Sequence, residues 1–208
     1  MKTGVVVGNP KPKSRTFAAA NLVAEKLTGA APDYVLDVAD LGAGLLEWGD
    51  PDVAAAVEAV QALEVVVFAS PTYKAPYTGL MKLFLDQIPQ DGLAGVTALP
   101  VMLGASPSHL LAPDLLFKPV LVELGATCPT VGLYLIDTSF AEDPRLDAWV
   151  ARTRVALPGS LAKRRSPNAC LWFMTCWCII LQLNAFEAYQ RAYDPKKHGA
   201  RDHRGPPI

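Results

Sequence analysis

Charge of one sign is what the chain most plainly lacks: 19 Lys/Arg against 20 Asp/Glu leave a formal net charge of −1 over 208 residues. A general nucleic-acid binder carries a basic surplus to meet phosphates, so no nucleic-acid partner is expected. Cysteine is scarce as well. The first 157 residues hold only Cys128, while Cys170, Cys176 and Cys178 crowd together later in the chain. One thiol builds no disulfide framework for a core, and a reducing cytoplasm is the expected compartment. Met1-Lys2-Thr3 leads straight into a short apolar run without a secretory leader, which supports the same expectation. The core region shows no His/Cys/Asp cluster with metal-ligand spacing, so no metal is expected. A G-x-S-x-G elbow and a Ser–His–Asp order are both missing, which removes the case for acyl transfer.

What is present is a regular alternation. Val5–Val7, Tyr34–Val38, Val65–Ala69, Ala98–Leu103 and Val131–Ile136 are short β-branched or apolar runs that read as buried parallel strands. Segments with helical spacing separate them: Arg15 to Leu27, Asp52 to Leu63, Gly79 to Ile88, Ala112 to Leu124 and Glu142 to Leu157. Pro51-Asp52 and Asp143-Pro144 read as helix starts. A chain that is 51% hydrophobic and 19% charged suits one full-sized globular domain. Five β–α units imply an α/β fold, a doubly wound five-stranded parallel sheet in the flavodoxin-like order 2-1-3-4-5. In that fold a ligand sits beyond the carboxyl ends of the strands, where the first and third diverge. The loops after Val7, Ala69 and Leu103 are therefore where chemistry belongs.

The first of these loops, Gly8 to Thr16 (GNPKPKSRT), passes through a Pro-rich turn and meets a helix at Ser14. Free N–H groups at a helix N-terminus, with hydroxyls and Arg15 beside them, make a phosphate cradle; a plain turn capped by Ser14 uses the same residues. Pro12 stands where the Walker pattern needs glycine, so no nucleotide triphosphatase is implied. Gly42-Ala-Gly44 opens like a dinucleotide fingerprint, but Glu47 occupies the third glycine position. The loop from Ser70 to Gly79 carries two prolines, two tyrosines and Lys74, and reads as a rigid extended segment fit for a planar ring or as an ordinary turn. The loop Gly104-Ala-Ser-Pro-Ser-His109 is built of small residues that permit close backbone approach. His109 reads as a surface or capping residue or as a group beside the ligand. With no catalytic side-chain set in evidence, a bound cofactor is left to carry the chemistry.

GNPKPKSRT, SPTYKAPYTGLMKLFLDQIP and LGASPSHLLAPDLLFKPVLVELGA resemble, in order and spacing, the NAD(P)H-dependent FMN reductases of the flavodoxin-like group, over roughly residues 3 to 140. The resemblance implies an FMN cofactor, NADH or NADPH as hydride donor, and direct hydride transfer between stacked nicotinamide and flavin rings. It implies a homodimer or homotetramer, and for several relatives a partner flavin-dependent monooxygenase that takes the reduced flavin. It places Ser14, Arg15 and Thr16 at the FMN phosphate, with Asn9 and Lys11 in the same loop. Pro71, Thr72, Tyr73, Lys74 and Ala75 fall where the family frames the flavin ring and ribityl chain. Gly104, Ala105 and Ser106 match the third loop, with His109 beyond them; Ala105 replaces a glycine usual in the family. Leu115 stands where a subset of two-component members inserts a tyrosine, which leaves open whether flavin is released or retained. No residue is assigned as general acid or base. With all three loops facing one crevice, the cradle is the better reading of Gly8 to Thr16, and its guest is a single phosphate. The apolar stripe Leu80, Leu83, Phe84 and Ile88 reads either as a subunit interface or as a core face.

The resemblance stops near Pro158. Residues 1–157 hold 11 Lys/Arg and 17 Asp/Glu, a balance of −6, whereas residues 158–208 hold 8 and 3, a balance of +5. The expected organisation is thus an FMN-binding reductase domain over 1–157 and an atypical basic and apolar tail over 158–208. Ser166 to Phe186 lacks charge, but Pro167, Asn168, Gln182 and Asn184 shorten its apolar part below a bilayer span. It reads as an added packing helix, as a disordered or frame-shifted terminus, or, least well, as a membrane anchor. Two other functions stay open beside FMN reduction: a flavin-dependent quinone or azo-compound reductase, and a flavodoxin-like electron carrier without enzymatic activity.

Overall fold

The structure, a computed structural model, describes residues 1–157; the expectations for the 158–208 tail lie outside the described residues. Five parallel strands, β1 (Thr3–Val7), β2 (Tyr34–Asp37), β3 (Val65–Pro71), β4 (Thr97–Gly104) and β5 (Leu133–Ile136), form one sheet in the order 2-1-3-4-5. Between and after them run α1 (Arg15–Thr28), α2 (Pro51–Gln61), α3 (Gly79–Asp86), α4 (Lys118–Glu123) and α5 (Pro144–Ala156). This is the flavodoxin-like arrangement that the alternation predicts.

Strand periodicity sends alternate side chains to opposite faces, and each face carries its own core. Val5, Val7, Val65, Val67, Leu99, Val101 and Leu135 face one way and pack against α1 and α5 through Ala20, Val23 and Trp149. Val6, Val66, Phe68, Met102 and Tyr134 face the other way, onto α2, α3 and α4 through Val57, Phe84 and Leu121. Of the ambiguous stripe, Phe84 and Ile88 are buried in this second core, Leu80 packs against it, and only Leu83 reaches the surface. The helices start where their caps place them. Ser14 Oγ accepts from Phe17 N–H, Asp50 accepts from Asp52 and Val53 N–H ahead of Pro51, and Asp143 accepts from Arg145 N–H ahead of Pro144.

Pro100 lies in the middle of β4, where a missing N–H would normally break the ladder. The neighbouring amides explain its place. Thr97 N–H donates to Glu64 C=O on the β3 side and Ala98 N–H to Thr127 C=O on the β5 side, both at 2.9 Å. By alternation the missing donor of Pro100 faces β5, whose pairing begins only at Val101 with Leu133. The strand expected over Val131–Ile136 is correspondingly shorter and begins at Leu133. Val131 stays outside the sheet, exposed, and its C=O accepts from Trp149 Nε1 at 2.7 Å. Val38, expected in the second strand, instead begins a 3-10 segment over Val38–Leu46 that Gly42 interrupts at φ 54°.

Among the described residues no helix is long and apolar enough to cross a membrane, and no group of His, Cys, Asp and Glu could hold a metal ion. Cys128 is a free thiol. Burial pushes its pKa up to about 11, an effect that the nearby Lys118 ammonium only partly offsets. Since the thiolate is the reacting form, iodoacetamide at pH 8 should alkylate the Cys128 peptide at least about tenfold more slowly than free cysteine. Peptide mass spectrometry checks this, and unfolding in urea should abolish the protection.

Candidate active site

The carboxyl ends of β1, β3, β4 and β5 open onto a cavity of about 400 Å³. One wall is the first loop and the start of α1: Asn9, Lys11, Lys13, Ser14, Arg15 and Thr16. The other is formed by Pro71, Thr72, Tyr73, Leu103, Gly104, Ala105 and Asp137. Such a volume lies within the range of small-molecule sites, about 300–1,000 Å³.

The first loop is held from inside. Asn9 is buried; its Oδ1 accepts from Lys11 N–H and its Nδ2 donates to Thr16 Oγ1, both at 3.0 Å. Thr16 Oγ1 is thereby used as an acceptor, and its own proton remains to be donated. The first-turn amides of Arg15 and Thr16 have no partner four residues back, so the positive end of the helix faces the cavity. Lys13 takes the left-handed conformation, φ 50°, and its N–H donates to Asp37 Oδ2 at 2.9 Å. Its ammonium lies 4.2 Å from the centre of the Phe17 ring. Across the cavity Arg15 Nη2 meets Asp137 Oδ2 at 3.1 Å. Arg15 is 63% exposed, so the pair adds only about 0–1 kcal/mol to stability, and its importance is where it holds the charge.

The first loop and the loop after β3 are joined directly. Thr78 Oγ1 donates to Gly8 C=O at 2.6 Å and accepts from Met81 N–H at 3.1 Å, capping α3. Gly8 N–H donates to Ala69 C=O, and Thr78 N–H donates to Ser70 Oγ. A Cβ on Gly8 would lie 2.5 Å from Met81 Cβ, so only glycine permits this approach. Of the two readings that the loop after β3 leaves open, it adopts the turn and not the extended segment. Lys74 and Ala75 both adopt the left-handed region, at φ 55° and 83°, and Tyr73 N–H donates to Pro76 C=O at 3.1 Å. The result is a tight turn that brings Tyr73 to the rim, 53% exposed. In the fourth-strand loop, a Cβ on Gly104 would stand 1.9 Å from the Tyr134 hydroxyl. That hydroxyl donates to Ser106 C=O at 2.9 Å, which fixes the loop to the sheet.

Ten of the residues expected at the site therefore line one cavity. Lys74, Ala75, Ser106 and His109 do not. Lys74 and Ala75 shape the turn that presents Tyr73, and Ser106 anchors the Tyr134 bond and caps the short 3-10 turn Pro107–His109. His109 lines a separate groove with Leu110, Leu111 and Leu115. The segment Pro113–Phe117, expected as ordinary α-helix, is a π-helical turn with Leu115 exposed. Lys13, Leu103 and Asp137 complete the cavity although the sequence reading did not name them. Lys13 sits within the GNPKPKSRT loop, and Asp137 directly follows the fifth strand, at the same end of the sheet.

A family model described as NADPH-dependent FMN reductase matches residues 1–141. The chain belongs to that family. It is 31% identical to the FMN reductase (NADPH) of Escherichia coli K12 over 142 residues, which is 66% of this chain and 74% of the relative. Among solved structures, an NADH:FMN oxidoreductase in its apo form aligns at TM-score 0.68 and 29% identity, over 78% of this chain and 92% of that one. Oxidised flavodoxin 2 of Bacillus cereus shares the fold at TM-score 0.53 and 17% identity, over 79% of this chain and 99% of that one. As a family member the chain is an oxidoreductase that works with FMN and NADH or NADPH.

The residues present fit FMN. The cavity joins a basic, amide-rich end suited to one phosphate to a wall carrying Thr72 Oγ1, which is buried without a hydrogen-bond partner and so is free for a polar chain. Thr78 lines none of it yet ties its two walls together. Thr78→Val should cost about 1–3 kcal/mol in urea unfolding, since Gly8 C=O loses its donor and α3 loses its cap. The same variant should weaken FMN binding, and Thr78→Ser should restore both.

Proposed function

We propose that the protein reduces FMN by direct hydride transfer from NADH or NADPH and releases reduced flavin to a partner flavin-dependent monooxygenase. The observation that carries this reading is the meeting of the α1 N-terminus and the β3 and β4 loops around one cavity. Lys11, Lys13 and Arg15 would neutralise the phosphate, and the Ser14 and Thr16 hydroxyls with the first-turn amides would orient it. Pro71, Thr72, Tyr73, Gly104 and Ala105 would flank the ribityl chain and ring system. Bound FMN supplies a two-electron acceptor there. The chain's own share is placement, since holding two reactants in a reactive arrangement can contribute roughly 7–11 kcal/mol. No side chain in the cavity is cast as a general acid or base. The exposed rim at Tyr73 and Arg15 supports exchange of flavin with solvent.

The expected cytoplasmic location is supported by the free thiol of Cys128. A homodimer or homotetramer is supported by the exposed leucines 110, 111, 115 and 116, which share one surface groove. Light scattering should report a mass above that of one chain, and Leu115→Asp should shift it downward.

Steady-state oxidation of NADH and NADPH, with FMN and then a quinone as acceptor, tests the reaction. Turnover with FMN is the expected result. Turnover with quinone alone would make the protein a quinone reductase, and FMN binding without turnover would make it an electron carrier. Arg15→Ala should raise the Kd for FMN about tenfold, worth about 1.4 kcal/mol, and leave riboflavin binding unchanged. An unchanged FMN affinity would remove the phosphate assignment.

A further inference from the structure

Asp137 is the one carboxylate lining the cavity among the described residues. Its place is set by the sheet rather than by a flexible loop. It follows β5 directly, and its N–H donates to the C=O of Gly104, the last residue of β4, at 3.0 Å. Its Oδ2 holds Arg15 at 3.1 Å, while its Oδ1 is buried without any hydrogen-bond partner. On the opposite wall, neither Lys11 nor Lys13 makes an ion pair among the described residues. One of the three cations at the phosphate end is thus already occupied by an internal anion.

We infer that Asp137 competes with the flavin phosphate for Arg15 and thereby sets how readily the cavity exchanges FMN. The inference rests on the reading that the phosphate of FMN meets the start of α1. A phosphate arriving there finds Arg15 already paired with a carboxylate. Arg15 is a long side chain at an exposed helix start and can swing from one anion to the other, whereas Asp137 is anchored at its backbone and cannot withdraw. Because Oδ1 has no hydrogen-bond partner, Arg15 is the one ion-pair partner of this carboxylate among the described residues, and the pair resists separation. Lys11, Lys13 and the helix amides preserve selection for a phosphate, and Asp137 moderates its strength. A retained cofactor gains from the strongest anion site available; a flavin that must leave after each turnover needs a weaker one.

Asp137→Asn tests this, because the amide oxygen still accepts from Arg15 while the charge is gone. Kd values for FMN and riboflavin are measured on the full chain by flavin fluorescence, together with FMN release by stopped flow. The expected result is an FMN Kd lower by about 3–10-fold, slower release by a similar factor, and riboflavin affinity changed less than twofold. Asp137→Ser, which tests whether the gain follows charge rather than the amide, should act in the same direction. In an Arg15→Ala background the gain from Asp137→Asn should fall below twofold. Unchanged or weaker FMN binding in both Asp137 variants overturns the proposal, as does a full gain without Arg15. Wild-type protein that binds riboflavin as tightly as FMN would defeat the phosphate reading itself, a result distinguishable from either.

Discussion

A single buried hydroxyl, that of Thr78, determines whether the two halves of the site share one frame. Parallel strands leave all their carboxyl-end loops on one side, but that alone does not make them meet. Here Gly8 comes within contact of Met81 because it has no Cβ, and Thr78 then closes the gap by donating to Gly8 C=O while accepting from Met81 N–H. The bond lies in the interior and no water competes for it. Ser70 braces the β3 loop internally, accepting from Thr78 N–H and donating to Pro71 C=O. The two walls of the cavity are consequently placed by the same few atoms.

That frame also accounts for the strained backbone. Of the four non-glycine residues with positive φ among the described residues, Lys13, Lys74 and Ala75 lie in the loops around the cavity. Each left-handed non-glycine residue costs of order 1–3 kcal/mol and persists only where its surroundings outweigh the cost. For Lys13 the compensation is Asp37, whose buried carboxylate accepts its N–H. For Lys74 and Ala75 it is the Tyr73–Pro76 bond below and the capped start of α3 beyond. Both turns point side chains toward the cavity rim, which is where conformations of this kind recur in ligand-binding loops.

The strand order was legible because runs such as Val65–Ala69 are buried on both faces and have no amphipathic period to confuse with a helix. The cavity was legible in outline because Gly8, Ser14 and Gly104 each carry a local geometric demand that shows in the residue type. What escaped was long-range. Nothing near Asp137 in the chain signals that it will face Arg15 more than 120 residues earlier; only the closing of the sheet brings them together. Pro100 likewise looks out of place until the late start of β5 is known. The family resemblance places Ser106 at the site and His109 shares its loop, yet the chain turns away at Pro107 and takes His109 with it. The turn at Lys74-Ala75 is one of two readings that the composition leaves open, and neither residue type decides it because neither favours a left-handed backbone.

The balance of charge around the first loop bears on what kind of anion site this is. Lys11, Lys13 and Arg15 are faced by Asp137 across the cavity and backed by Asp37 beneath the loop. Three cations against two carboxylates leave a surplus of about one charge for a phosphate that carries between one and two. The remainder falls to the first-turn amides and hydroxyls, which hold an anion by hydrogen bonds without adding a full charge. Such a site is suited to an anion recognised by shape and donor number more than by field strength. Its affinity then depends on how well the loop is pre-formed, and the loop is pre-formed by Asn9, Asp37 and Thr78. Structure rather than charge is what the chain has invested in this cradle.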